Sequence, residues 1–149
     1  MLSLAMIVTV DTNVIFSALY SNLGASHQIL KLILEEKIEL ALSPQIYFEY
    51  YDMLVREDNL AKLNLMVEEV EDILDLLALL AQKHSIYFLL RPNLIDEKDN
   101  MVVECAFASN SEYLITSNVR HFKSSELKGF KFKVVTPREF YKLWESSYE

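Results

Sequence analysis

One cysteine, one tryptophan, two glycines and three prolines are spread over 149 residues. A single thiol, Cys105, cannot close an intramolecular disulfide, so a disulfide-built secreted scaffold is excluded and a reducing compartment, the cytoplasm, is expected. Cys105 itself reads as a small buried apolar residue. So few glycines and prolines, with 52% hydrophobic residues, exclude a low-complexity or disordered chain. Membrane-spanning runs are lacking too: Thr12–Leu30 carries no Asp, Glu, Lys or Arg but is interrupted by Asn, Ser, His and Gln. The apolar start MLSLAMIVTV holds no Lys or Arg and runs directly into Asp11, which is not the form of a secretory leader. Met6 offers an alternative start, with Met1–Ala5 as an extension. The length suits a single domain, 1–149, with a sizeable core.

Basic charge is also in short supply, at a formal net charge of -8. This opposes strong nonspecific phosphate binding. The deficit is local, however. Residues 35–75 hold twelve acids against Lys37, Arg56 and Lys62. Residues 120–142 hold seven bases (Arg120, Lys123, Lys128, Lys131, Lys133, Arg138 and Lys142) against Glu126 and Glu139. Screening limits a distant charge to a reach of about 10 Å, so the second segment is the expected contact for a polyanion.

The chain is organised around Met6–Asn13, MIVTVDTN. Met6–Val10 is apolar or β-branched and predicts a buried strand, and Asp11 stands where that strand should stop. Val14–Tyr20 predicts one or two helical turns, His27–Lys37 a helix with His27 as a surface residue, and Glu39–Leu42 a second strand. Ser43-Pro44 is an N-cap followed by proline at the first helical position. It opens a helix with Ile46, Tyr50, Met53 and Leu54 inward and Glu49 at the edge of that stripe. Arg56–Asn64 is polar and predicts a turn or short helix. Val67–Lys83 predicts a long helix with Val70, Ile73, Leu74, Leu77, Leu80 and Ala81 inward; Leu76 and Leu79 widen its apolar face into that of a deeply buried helix or a partner surface, with core the expected place for them. Ser85–Leu90 is a third strand candidate. Asp96 reads as the cap of a helix over Asn100–Ser109, with Asp99 at its third position. Tyr113–Thr116 and Phe132–Val135 complete the strands. Thr136-Pro137-Arg138-Glu139 is a capping box for the last helix. Strands alternate with helices, so the expected class is α/β, three layers around a mainly parallel sheet of four or five strands.

Asp11, Glu49, Asp99 and Asn118 all fall after successive strands. In a parallel sheet such positions share one edge, where ligands bind. Carboxylates gathered there repel one another and raise each other's pKa unless a cation intervenes. Hard oxygen donors suit Mg²⁺ or Mn²⁺, and such an ion can polarise a phosphodiester and generate a nucleophilic hydroxide. Plainer readings stand beside this one. An acid at Asp99 favourably meets the helix dipole, Asn118 suits a turn, and Thr116 suits a buried strand.

The chain resembles the PIN-domain family, in the group of VapC-like toxins of prokaryotic toxin–antitoxin pairs. The residues that carry the likeness are Val10-Asp11-Thr12-Asn13-Val14, Ser43-Pro44 with Glu49 and Leu54, and Asp96–Asp99 leading into Ala106. Leu114-Ile115-Thr116-Ser117-Asn118 with His121-Phe122, and Thr136-Pro137-Arg138-Glu139-Phe140, complete it. The resemblance implies a ribonuclease dependent on Mg²⁺ or Mn²⁺, leaving 5′-phosphate and 3′-hydroxyl ends. Asp11, Glu49 and Asp99 match the acidic metal site. Asn118 stands at a fourth position that is often Asp, where its carbonyl can hold a metal-bound water. Asn13 and Thr116 match polar positions beside the site. Arg120, His121 and Lys123 begin the basic segment, running to Lys133, expected to hold RNA. A cognate antitoxin and a homodimer are the implied partners, with no membrane.

Two other enzyme classes fit less well. A haloacid-dehalogenase-like phosphatase needs a second Asp two residues after the first, where this chain has Asn13. A receiver domain needs a tighter acid cluster and a Lys after its last strand. The reading from a different class is a PIN-like fold that binds RNA or protein without catalysis.

Overall fold

The computed structural model describes residues 6–83, 97–122 and 131–148. The extension Met1–Ala5, the strand expected at Ser85–Leu90 and the cap expected at Asp96 lie outside the described residues. In order, the elements are β1 (Met6–Val10), α1 (Thr12–Tyr20), α2 (Ala25–Leu34), β2 (Ile38–Leu42), α3 (Pro44–Leu54), α4 (Glu57–Leu63) and α5 (Val67–Leu80). There follow β3 (Gln82–Lys83), α6 (Glu97–Ala108), β4 (Tyr113–Ile115), a 3₁₀ turn at Val119–Phe122, β5 (Lys133–Val135) and α7 (Pro137–Tyr148).

Among the described residues five strands form one all-parallel sheet, in the order β3-β2-β1-β4-β5. β1 is central, with Val8 opposite Leu40 of β2 and Val10 opposite Ile115 of β4. Val8, Thr9 and Val10 are all buried, so both faces of the strand are covered, as a parallel sheet between helical layers requires. α3 packs on α5 and α6, while α2 packs on α1 and α7. The chain leaves β1 toward β2 on one side and reaches β4 on the other. The β1–β4 seam is therefore a topological switch point, where the loops diverge and a cleft can open.

Local chemistry sets the helix starts. Ser43 Oγ accepts from Ile46 N at 3.2 Å, with Pro44 at the first helical position. Thr136 and Glu139 form the expected reciprocal box: Thr136 N donates to Glu139 Oε1 at 2.9 Å and Glu139 N donates to Thr136 Oγ1 at 3.1 Å. The donors that Thr136 offers the Glu139 carboxylate stabilise its ionised form and lower its pKa. His27 lies at the start of α2 and donates from Nδ1 to Ala18 O at 2.9 Å, tying α2 to α1.

One helix, α5, departs from the periodicity in two ways. α5 ends at Leu80 rather than Lys83, because Ala81 turns extended and the next two residues pair with Ala41 and Leu42 of β2. On the same helix Leu76 and Leu79 are 44% and 79% exposed, not core. The buried stripe is Val70, Leu74 and Leu77, as a helix with one covered face allows.

Ser43→Ala should lower stability by about 1 kcal/mol in urea titration, because the first turn of α3 loses its cap at a buried position.

Candidate active site

Asp11 is the first residue after β1 and the N-cap of α1; its side chain accepts from Thr12 N at 2.8 Å. Thr116 Oγ1 donates to Asp11 Oδ2 at 2.7 Å, and Asn13 Nδ2 approaches the same oxygen at 3.3 Å. The Asp11 backbone N–H donates to Ile115 O at 2.9 Å. Main chain and side chain of one residue thus both cross the β1–β4 seam. The two loops beyond it are laced together as well. Asn118 N donates to Thr116 Oγ1 at 3.0 Å, and Ser117 N donates to Asn13 Oδ1 at 3.2 Å.

Asp11 is only 8% exposed. Burial raises the pKa of its carboxyl. The Thr116 hydroxyl, the Thr12 N–H, the nearby His121 and the Asn13 amide all act to lower it, without cancelling the effect of burial. The carboxylate is therefore held by donors yet still under-compensated, which is the condition in which a nearby cation is most favourable.

A cleft of about 450 Å³ lies over Asp11. α1 supplies Asn13 and Phe16 to its wall, and α3 supplies Glu49 and Met53. The segment after β4 supplies Ser117, Asn118 and His121, and α4 supplies Asn59 and Lys62. Asp11, Glu49, Asn13 and Asn118 therefore share one cavity. Glu49 is half-buried, at the edge of the stripe formed by the buried Ile46, Tyr50 and Leu54. Thr116 is fully buried and reaches the site only through its bonds to Asp11 and Asn118.

Asp99 lies near the start of α6, but its side chain is outside the described residues. Among the described residues no three His, Cys, Asp or Glu side chains form a metal-holding group. The donors that do share the cleft, two carboxylates with amide oxygens beside them, are hard oxygens of the kind that suits a divalent cation such as Mg²⁺ or Mn²⁺.

The basic segment divides. His121 lines the cleft, Arg120 is exposed and does not line it, and Lys123 lies outside the described residues. Lys131 and Lys133 lie by Asn110 and Glu112, around a second cleft of about 320 Å³ where β4 and β5 begin. That is the opposite edge of the sheet from Asp11.

Three contributors escape a reading of the sequence. Tyr50 reads as a core residue, and it is fully buried, but its hydroxyl donates to Val10 O just before Asp11. Burial, with Cys105 and Asp11 nearby, pushes this hydroxyl well above the ordinary tyrosine range, so it remains a donor. The available signal was tyrosine in place of phenylalanine, since a buried phenol needs a partner. Asn59 and Lys62 sit in a segment that reads only as polar. Cys105 is buried as expected, and burial pushes its thiol up to about 11.

A family model for the PIN domain matches residues 7–120. No curated protein matches the chain. Among solved structures, the crystal structure of VapBC2 from Rickettsia felis bound to a DNA fragment from their promoter is similar, with a TM-score of 0.58 at 16% identity. The match covers 88% of this chain and 98% of that one, and at this identity it speaks for the fold.

The raised pKa of Asp11 makes the folded state bind its proton more tightly than the unfolded state does. Stability from this group is full below the unfolded value and lost as pH rises through the folded value. Asp11→Asn should therefore be more stable than wild type in metal-free urea titrations at neutral pH, with the gap closing as the pH falls toward the carboxylate range.

Proposed function

The chain belongs to the PIN-domain family, and from that membership we propose that it is a metal-dependent ribonuclease acting at the Asp11 cleft, the toxin of a toxin–antitoxin pair. The observation that carries this reading is the buried Asp11 carboxylate, under-compensated by its donors and sharing a cleft with Glu49. Asp11, Glu49 and Asp99 would hold Mg²⁺ or Mn²⁺, with Asn118 holding a water beside it. When bound, such an ion supplies Lewis-acid polarisation of a phosphodiester and lowers the pKa of water. Thr116 and Asn13 orient the Asp11 carboxylate and favour its ionised form through their bonds to Oδ2. Tyr50 holds the Val10 carbonyl and with it the end of β1. His121, on the wall of the cleft, faces incoming RNA.

An antitoxin partner is proposed from the family resemblance and from the likeness of the fold to VapBC2. A homodimer or partner surface is proposed on α5, where the exposed Leu76 and Leu79 lie side by side at helical spacing. Cytoplasmic residence follows from the same reading, and no helix among the described residues is long and apolar enough to cross a membrane.

Cleavage of labelled RNA should require Mg²⁺ or Mn²⁺ and stop in EDTA. Asp11→Asn should lower the rate by about 10²-fold or more, because an ion's contribution of several kcal/mol is lost and each 1.4 kcal/mol is about tenfold. Equal rates for the two proteins would overturn the assignment of Asp11. RNA binding without any cleavage would replace the ribonuclease by a non-catalytic RNA-binding module.

A further inference from the structure

Asn59 and Lys62 lie three residues apart on α4 and so share one face of that helix, and both line the Asp11 cleft. α4 is held firmly against its surroundings. Asn59 Nδ2 donates to Met53 O at 2.8 Å, taking up a carbonyl near the end of α3. Leu60 and Leu63 pack on the core, and Asn64 ends the helix in the left-handed region at φ 55. The backbone carrying Lys62 is thereby stationed at the cleft, while the exposed side chain keeps its reach.

The charge around Lys62 makes that station informative. It is one of three bases among residues 35–75, against twelve acids. Nevertheless it joins no ion pair among the described residues, where the pair found is Lys37 with Glu35 at 3.8 Å. A polyanion approaching Asp11 and Glu49 meets repulsion that only a local cation can offset within the screening length of about 10 Å. Arg120 does not line the cleft, and Lys131 and Lys133 lie at the other edge of the sheet. His121 lines the wall formed after β4, and Lys62 lines the wall formed by α4.

Resting on the ribonuclease reading above, we infer that Lys62 is a substrate-binding residue whose ammonium pairs with a backbone phosphate of the RNA strand lying across the cleft. It adds affinity without base selectivity, as phosphate contacts do. The neighbouring phosphodiester then meets the metal that the carboxylates would hold, so the acid-rich segment 35–75 contributes its own grip on RNA.

The test is fluorescence anisotropy of a labelled single-stranded RNA from about 50 to 200 mM salt. Ca²⁺ replaces Mg²⁺, and a gel verifies that the RNA stays intact. Lys62→Gln should weaken binding and reduce the slope of log K against log salt by about 0.7, the value for one phosphate contact on a single strand. Lys62→Arg should keep the slope, and Mn²⁺ affinity should be the same in all three proteins. In cleavage assays with Mn²⁺, Lys62→Gln should raise KM and leave kcat unchanged. If wild type binds RNA and Lys62→Gln shows the same slope, the assignment of Lys62 is overturned and the ribonuclease reading stands. An unchanged slope with altered Mn²⁺ affinity overturns it too, giving the ammonium to the carboxylates. If wild type neither binds nor cuts RNA, both readings fall.

Discussion

A buried carboxylate has to be held from several sides, and the bonds that hold Asp11 are those that join the two halves of the sheet. Thr12 N–H, the Thr116 hydroxyl and the Asn13 amide converge on its two oxygens. The Asp11 N–H crosses to β4 at the same level. Hydrogen bonds to a charged group are each worth about 1.5–3 kcal/mol, yet together they do not fully offset the loss of water around Asp11. The same residue caps a helix, closes a strand seam and keeps an unfavourable charge. A neutral Asn or Ser would cap the helix without the charge, so the buried charge is what makes Asp11 the candidate functional group.

Much of this architecture could be read from residue patterns. β1 could be read because five apolar or β-branched residues are cut off by Asp11, and α3 and α7 because Ser43-Pro44 and Thr136-Pro137-Arg138-Glu139 state their own starts. The register of the switch point is harder to read, since nothing local in Asp11 or Thr116 says that they will meet across 105 positions. α5 shows another limit. Its leucines satisfy a helical period on two faces, and only tertiary packing decides that Leu74 is buried while Leu79 is not. Periodicity also carried the helix past Leu80, whereas sheet pairing with β2 claimed Gln82 and Lys83.

Within the candidate site, the shared place of Asp11, Glu49 and Asn118 was legible from their positions after successive strands, and all three line the same cleft. Residues whose roles depend on a neighbour were not legible. Tyr50 acts on Val10 through one hydroxyl at a position whose packing would also suit phenylalanine. Lys62 reaches the cleft because α4 is moored to Met53, a fact of packing that its polar segment conceals. Among the described residues the basic stretch does not stay on one side of the sheet, because Lys133 begins β5 at the far edge from His121.

The lacing of Asp11 to Thr116 has a consequence for biogenesis. Protein chains are made from the N-terminus, and β1 can pair with β2 as soon as Ile38–Leu42 is available. Its other neighbour arrives much later, with Tyr113–Ile115, and the hydroxyl that orients the carboxylate follows one residue after that. A nascent chain therefore carries Asp11 with one side of its strand bare and its pocket unbuilt until those residues have been made. The cleft matures only after residue 116 and its followers have cleared the ribosome. The fold thus leaves the Asp11 cleft incomplete until β4 and Thr116 have been made.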